Sequence, residues 1–203
     1  MSDPTGKRKF RGAYKGHPPW DISGPQPALR EIADQLTGKL LDAGCGTGEN
    51  ALYFASLGRV VVALDFVQQP LKQAAIKAKE RGLTLETRQG DALQLASWND
   101  QFDGILDSGL FHTFSDEHRP RYVQGLWHVL RPQGRIALLC MSDREPAGNG
   151  PRRVSQSELK ACFQQGWHID SITPVIFQVR DDLPTGYFSP EGPHAWRMLA
   201  TRI

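Results

Sequence analysis

"LLDAGCGTGEN", residues 40–50, decides the fold. An apolar run ends in an acid, three glycines follow two apart, and Glu49 opens a segment with helical spacing. Strand, glycine turn and helix in that order form the opening unit of an open α/β sheet. Ligands in such sheets bind beyond the carboxyl ends of the strands. The alternation continues on both sides. "KLLDAG" and "RVVVALDF" read as strands buried on both faces, since they are apolar without alternation. "ENALYFASL" is a helix that stops at Gly58, and "QPLKQAAIKAKER" one that stops at Gly82. "LTLETRQGD", "FDGILDSG" and "GRIALLCMSD" supply three more strands, with the helix "RPRYVQGLWHVL" before the last of them. In "SQSELKACF", Ser155 and Glu158 have the spacing of a capping box. The final strands, "WHIDSITPVIFQV" and "HAWRMLATRI", have no helix between them, which predicts an antiparallel hairpin at the sheet edge. The expected fold class is α/β: a doubly wound, mostly parallel, seven-stranded sheet, with no internal repeat and no second domain.

The chain has 203 residues, 39% of them hydrophobic and 23% charged, as in an ordinary globular domain. No apolar run is long enough to span a membrane, and the first residues lack the apolar core of a signal peptide. Cys45, Cys140 and Cys162 are too scattered for a disulfide framework, which points to a reducing, cytoplasmic setting. The six histidines show no metal-ligand spacing, so no metal is expected. The net charge of +2 is uneven. Lys7, Arg8, Lys9, Arg11 and Lys15 against Asp3 give the first 16 residues +4, and the remainder has 19 bases and 21 acids. Residues 1–27 divide from a domain at 28–203. The first sixteen are expected to be a solvated, partly mobile tail. "HPPWDISGPQP", with four prolines, should be an ordered but irregular connection, not a helix. A helix is expected from Pro27 to Leu36.

Which nucleotide the glycine loop holds follows from its details. The dinucleotide fingerprint G-x-G-x-x-G needs glycine at position 49 after Gly44 and Gly46, and this chain has Glu49. A carboxylate at a helix N-terminus also repels a pyrophosphate placed there. No Gly-Lys-Ser/Thr follows, so a P-loop is excluded. A cofactor without phosphates fits better, and S-adenosylmethionine is one: its sulfonium and ammonium favour nearby carboxylates. Asp65 ends the second strand about twenty residues after the loop, where one acid can accept from both ribose hydroxyls. Asp91, in "GDA" after the third strand, can accept from the adenine amino group.

"LLDAGCGTGEN", "ALDF", "GDA" and "HVLRPQGRIALL" resemble, in order and spacing, the motifs of class I S-adenosylmethionine-dependent methyltransferases across roughly residues 28–145. "PPWDISGPQPAL", "DSGLFHTF" and "SDREPAGNGPRRVSQSEL" are similar to a narrower group of small bacterial small-molecule methyltransferases. That group is akin to enzymes modifying heteroaromatic and quinolone-like compounds, and more distantly to thiopurine and tellurite-resistance methyltransferases. The resemblance implies that the Trp20 segment folds over the cofactor and that Asp42, Gly44 and Gly46 form its methionine site, with Cys45 between them. It implies that Asp65, Phe66, Asp91 and Ala92 hold the nucleoside. "RPQG" replaces the commoner Arg-Pro-Gly-Gly turn, away from the chemistry.

An activated methyl donor asks the protein mainly to align an acceptor behind the methyl group. Orientation lowers a barrier by about 7–11 kcal/mol, and a general base adds about 3–5 kcal/mol. His112, in the loop after the fourth strand, is the candidate base; packing or helix capping is its competing role. Asp107 and Ser108 orient the methionine portion. Tyr14, Phe111, Tyr187 and Phe188 are candidates for the acceptor wall, beside Trp20 and Phe114. The acceptor is expected to be a small, partly apolar molecule methylated at sulfur, nitrogen or oxygen, with no nucleic-acid or membrane partner. Two other readings stay open: an RNA or protein methyltransferase guided by the basic arm, and a cofactor-binding sensor or partner subunit without turnover.

Overall fold

The computed structural model describes residues 7–203, with side chains from residue 10 onward. One sheet carries seven strands: β1 (Lys39–Ala43), β2 (Val60–Asp65), β3 (Glu86–Gln89), β4 (Phe102–Ser108), β5 (Leu130–Met141), β6 (Trp167–Ile176) and β7 (His194–Arg202). Their order in space is β3-β2-β1-β4-β5-β7-β6. Pairing is parallel from β3 to β5. Strand β7 runs antiparallel between β5 and β6, so the expected C-terminal hairpin forms and leaves β6 at the edge. The chain winds outward from β1 to β3, then returns to lay β4 on the other side of β1. The switch point therefore lies between β1 and β4, where the glycine loop emerges.

The helices are α1 (Lys7–Ala13), α2 (Pro27–Arg30), α3 (Glu49–Ser56), α4 (Gln68–Glu80), α5 (His118–Val129) and α6 (Gln156–Cys162). Gly58 and Gly82 adopt positive φ just past α3 and α4, as the helix-stop reading requires. The capping box at Ser155 and Glu158 forms at the start of α6. Both sheet faces are buried. One packs Phe102, Tyr122, Leu126 and Trp196 with the α5 and α6 side. The other packs Leu29, Phe54, Leu106 and Phe177 with the α2 and α3 side. Leu40, Leu41, Val62 and Leu64 are fully buried, each contributing roughly 1.5–3 kcal/mol of transfer free energy.

Three expectations are corrected. The first sixteen residues are not all solvated tail: Lys7–Ala13 is helical. Phe10 and Tyr14 fall on one face of it. Phe10 packs its ring 5.7 Å from Trp20 and 6.1 Å from Phe66, and Tyr14 is buried. The described prolines that argued against a helix all lie beyond Gly16. Residues 1–6, Asp3 among them, and the side chains of the bases at positions 7–9 lie outside the described residues. The Pro27–Leu36 helix breaks after Arg30 into a 3-10 turn at Ala33–Gln35. The third strand begins only at Glu86.

Candidate active site

A cavity of about 410 Å³ opens at the carboxyl ends of β1, β2 and β4, within the usual size for small-molecule sites. Its lining falls into two chemically distinct halves.

The first half is built by the glycine loop. The Gly44 and Cys45 amides donate to the Leu64 carbonyl at 2.8 and 2.9 Å, tying the loop to the end of β2. Gly46 has φ 54°, and a Cβ there would meet the Tyr14 hydroxyl at 2.8 Å. Gly48, at φ 86°, leaves no room for a Cβ beside Ala74. Both positions need glycine for conformation and for space. Asp65 accepts from the Gly46 amide at 3.0 Å and from the Val67 amide at 2.8 Å. Burial raises its pKa despite those amides. Asp91 caps the turn after β3 by accepting from the Leu93 amide. Asp65, Phe66, Asp91 and Ala92 line this half with Cys45, Trp20 and Ser108.

Four carboxylates border the cavity, those of Asp21, Glu49, Asp65 and Asp91, and among the described lining residues there is no Lys or Arg. That donor set suits a cation and opposes a phosphate. Glu49 by itself opposes a phosphate less than the sequence implied. Its carboxylate is paired with Lys77 at 2.9 Å and with Arg81 at 2.9 Å. Burial raises its pKa, but the two cations outweigh that and hold it below the usual carboxylate range. Thr47 joins the neighbouring segments: its hydroxyl donates to Asp21 at 2.6 Å and accepts from Lys77 at 3.0 Å.

Three expected site residues do not line the cavity. Asp42 is 1% exposed beneath the loop. Neither of its oxygens makes a well-formed hydrogen bond. Desolvation pushes its pKa up to about 7, opposed by the Ala51 amide and aided by Asp107 and Asp65. Asp107 is fully buried. It accepts from the Leu110 and Phe111 amides and, at 2.8 Å, from the Tyr122 hydroxyl. It orders the loop after β4 from below. Phe111 is also fully buried; it packs on Phe163, with the Arg119 guanidinium 4.8 Å above its ring.

The second half is aromatic and apolar, with Phe114, Met141, Phe177, Val179, Tyr187 and Phe188, edged by Thr113, Ser115 and His118. His112 reaches into it, and its surroundings argue against the base role. The Met141 amide donates to His112 Nδ1 at 2.9 Å. Burial, with the charges of Arg119 and Arg153, lowers the imidazole pKa to about 3. Because Nδ1 accepts, the neutral ring carries its proton on Nε2, which is therefore a donor.

The roof over both halves comes from two segments far apart in sequence. Trp20 Nε1 donates to the Tyr14 hydroxyl at 3.2 Å. The Gln26 side chain donates to the Gln178 carbonyl and accepts from the Gln178 amide, both at 2.9 Å, as a paired strand would. Arg180 donates its amide to Pro19 and its guanidinium to the His17 carbonyl. Glu145 accepts from the Ser189 and His194 amides at 3.0 and 2.9 Å, anchoring the segment that carries Tyr187 and Phe188. Burial would raise the Glu145 pKa, but these amides hold it below the usual carboxylate range. Sequence reasoning missed Asp21, Gln26, Thr47 and Glu145, whose partners are distant in the chain.

Cys45, Cys140 and Cys162 are free thiols. Among the described residues no group of three or more His, Cys, Asp or Glu could hold a metal ion. No helix there is long and apolar enough to cross a membrane.

Residues 40–134 match the model of a family described as "Methyltransferase domain". The chain is 32% identical over 186 residues to the 2-heptyl-1-hydroxyquinolin-4(1H)-one methyltransferase of Mycobacteroides abscessus, covering 85% of this chain and 82% of that one. It is 30% identical to probable thiol methyltransferase 2 of Arabidopsis thaliana, covering 77% and 72%. A solved structure from work on the conversion of a disulfide bond into a thioacetal group during echinomycin biosynthesis superposes with a TM-score of 0.84. It shares 33% identity over 96% of this chain and 92% of that one. The glycine loop, the acid-lined cavity and this likeness over most of the chain agree: the protein belongs to the class I S-adenosylmethionine-dependent methyltransferases.

Proposed function

We propose that the protein methylates a small, partly apolar molecule at sulfur, nitrogen or oxygen by in-line displacement. The observation that carries this reading is the two-part cavity, with carboxylates on the side that suits a cationic donor and aromatic side chains beyond it. S-adenosylmethionine supplies the activated methyl group on a sulfonium. The chain's own residues bind, orient and exclude water. Asp65 and Asp91 would take the nucleoside, the loop at Gly44–Gly46 the methionine portion, and buried Asp42 would offer a counter-charge from below. Phe114, Phe177, Tyr187 and Phe188 would hold the acceptor's apolar body. Residues 10–26 serve as a cover over the donor, through Phe10, Tyr14 and Trp20. Positioning supplies the larger share of the acceleration, about 7–11 kcal/mol where alignment is good. The Mycobacteroides relative, named for a hydroxyquinolone substrate, supports a heteroaromatic acceptor class. The test is a screen with isotopically labelled donor against thiols, phenols and nitrogen heterocycles. Label transfer to at least one class supports the reading; tight donor binding with no transfer to any would replace it with a sensor role.

A further inference from the structure

We propose that His112 is a fixed hydrogen-bond donor and that the site takes acceptors arriving as anions, namely acidic aromatic thiols and hydroxyl compounds. The inference rests on the reading above and narrows its acceptor class. Three observations carry it. First, the ring is pinned. Met141 N–H occupies Nδ1, Phe177 lies 6.3 Å away centroid to centroid, and a Cβ on Gly109 would sit 3.4 Å from Nε2. Second, Nε2 opens onto the cavity. His112 lines it, and Nε2 is not among the described polar atoms that are buried without a hydrogen-bond partner. Third, the charges that act on the ring are both positive: Arg119 from α5, which is ion-paired with Glu158 and Asp116, and Arg153 from the loop after β5. Arg153 spends its guanidinium on the carbonyls of Glu145, Pro146 and Pro151, with no carboxylate partner among the described residues. The aromatic half of the lining has no Asp or Glu; His118, hydrogen-bonded to Ser115, is its other imidazole.

A ring with its proton on Nε2 cannot take another there. Protonation at Nδ1 would set two N–H groups against each other at Met141. His112 therefore cannot receive the acceptor's proton, and on this inference the proton is lost to solvent before the reaction. The acceptor's lone pair forms the new bond to the methyl carbon while the carbon–sulfur bond breaks, its electron pair staying on sulfur. The anion's charge and the sulfonium's cancel, and no proton moves. An alcohol would have to shed a proton with no carboxylate in the aromatic half to receive it.

The experiment uses the full chain with 4-nitrothiophenol, thiophenol, 4-nitrophenol, phenol and benzyl alcohol, in falling order of acidity. The pH dependence of kcat/KM is measured for each. The absorbance of bound 4-nitrophenol is recorded with S-adenosylhomocysteine present, where no turnover occurs. The expected apparent pKa follows each acceptor's own acidity, benzyl alcohol is not methylated, and bound 4-nitrophenol shows its anion band below its free pKa. H112N can still accept from Met141 but offers no N–H at the Nε2 position; H112Q offers one. H112Q is expected to keep about 10-fold more kcat/KM than H112N, since a hydrogen bond to a charged group is at stake. One apparent pKa common to all acceptors and absent from H112Q would make His112 the base and overturn the inference. Methylation of benzyl alcohol at the rate of thiophenol, or a neutral bound nitrophenol, would overturn it too. Turnover of none of these acceptors by wild type that binds donor overturns it together with the broader reading. If both variants lose donor binding, the wild-type absorbance band still decides.

Discussion

Asp42 offers the sharpest test of how this site is built. Its carboxylate is buried, without a well-formed hydrogen bond, and raised from the ordinary 3.8 to about 7. An acid that ionises later in the folded state than in the unfolded chain takes up more protons when folded, so stability falls as pH rises between the two values. At about 1.36 kcal/mol per pH unit, the full displacement is worth about 4 kcal/mol by pH 8. About half of it, roughly 2 kcal/mol, accrues between pH 5.5 and 8. D42N removes the ionisation while keeping the shape. Other buried groups also titrate. Asp107 is raised to about 6 and Asp65 is raised too, and both lose stability with rising pH; His112 is lowered to about 3 and gains it. Subtracting wild type from D42N cancels the His112 part and leaves of Asp65 and Asp107 only their coupling to Asp42. Urea unfolding of the donor-free proteins at pH 5.5, 6.5 and 8 should show the gap moving in favour of D42N by roughly 2 kcal/mol. Calorimetry should show D42N binding S-adenosylmethionine about 10- to 100-fold more weakly, since it loses the buried negative charge. A gap that stays constant with pH would refute the reasoning.

E145A should free the segment that carries Tyr187 and Phe188, because hydrogen bonds to a charged group are worth about 1.5–3 kcal/mol each. Faster amide exchange at Ser189 and His194 and an acceptor KM raised about 10-fold, with donor affinity little changed, are the expected readouts. Glu145 is held below its usual range, so this anchor is complete above the ordinary glutamate value. It is lost as pH falls through the folded one; the same exchange rates in E145Q should lack that dependence. Gln133 has φ 65°, a left-handed conformation that glycine adopts without strain. Q133G should therefore raise stability by about 0.5–1 kcal/mol in urea unfolding, the left-handed cost less glycine's entropy. Y122F leaves buried Asp107 short of one donor and should destabilise by about 1–3 kcal/mol, read as a lower Tm with S-adenosylmethionine affinity retained.

Local chemistry was legible wherever neighbours in sequence are neighbours in space. The uninterrupted apolar runs at Leu40–Ala43 and Val61–Leu64 mark strands with two buried faces, and Ser155 with Glu158 writes its own helix start. The cofactor class was legible for the same reason, since the glycine loop and the acids after β2 and β3 that pointed to it are each written locally. Helix α1 was not, because beyond Trp20 the partners that seat Phe10 and Tyr14 lie far along the chain: Phe66 against the Phe10 ring, and Gln69, which donates to the Tyr14 carbonyl 55 positions away. Nor was the direction in which Asp107 and Phe111 face. A residue at a strand end can serve the crevice or the core, and the spacing is the same for both. His112 was found as a site residue, but its role depends on the amide at Met141, 29 positions away. Glu145 shows no motif at all: its partners at Ser189 and His194 come 44 and 49 residues later.

The joint at Gln26 and Gln178 spans 152 positions. During synthesis, the segment around Gln26 therefore waits for one made 152 residues later before it can lock. Until β7 has paired between β5 and β6, the segment that carries Gln178 lacks its anchor, and the cover over the cavity cannot seat. A nascent or nicked chain would keep its glycine loop yet leave the cavity open to bulk water.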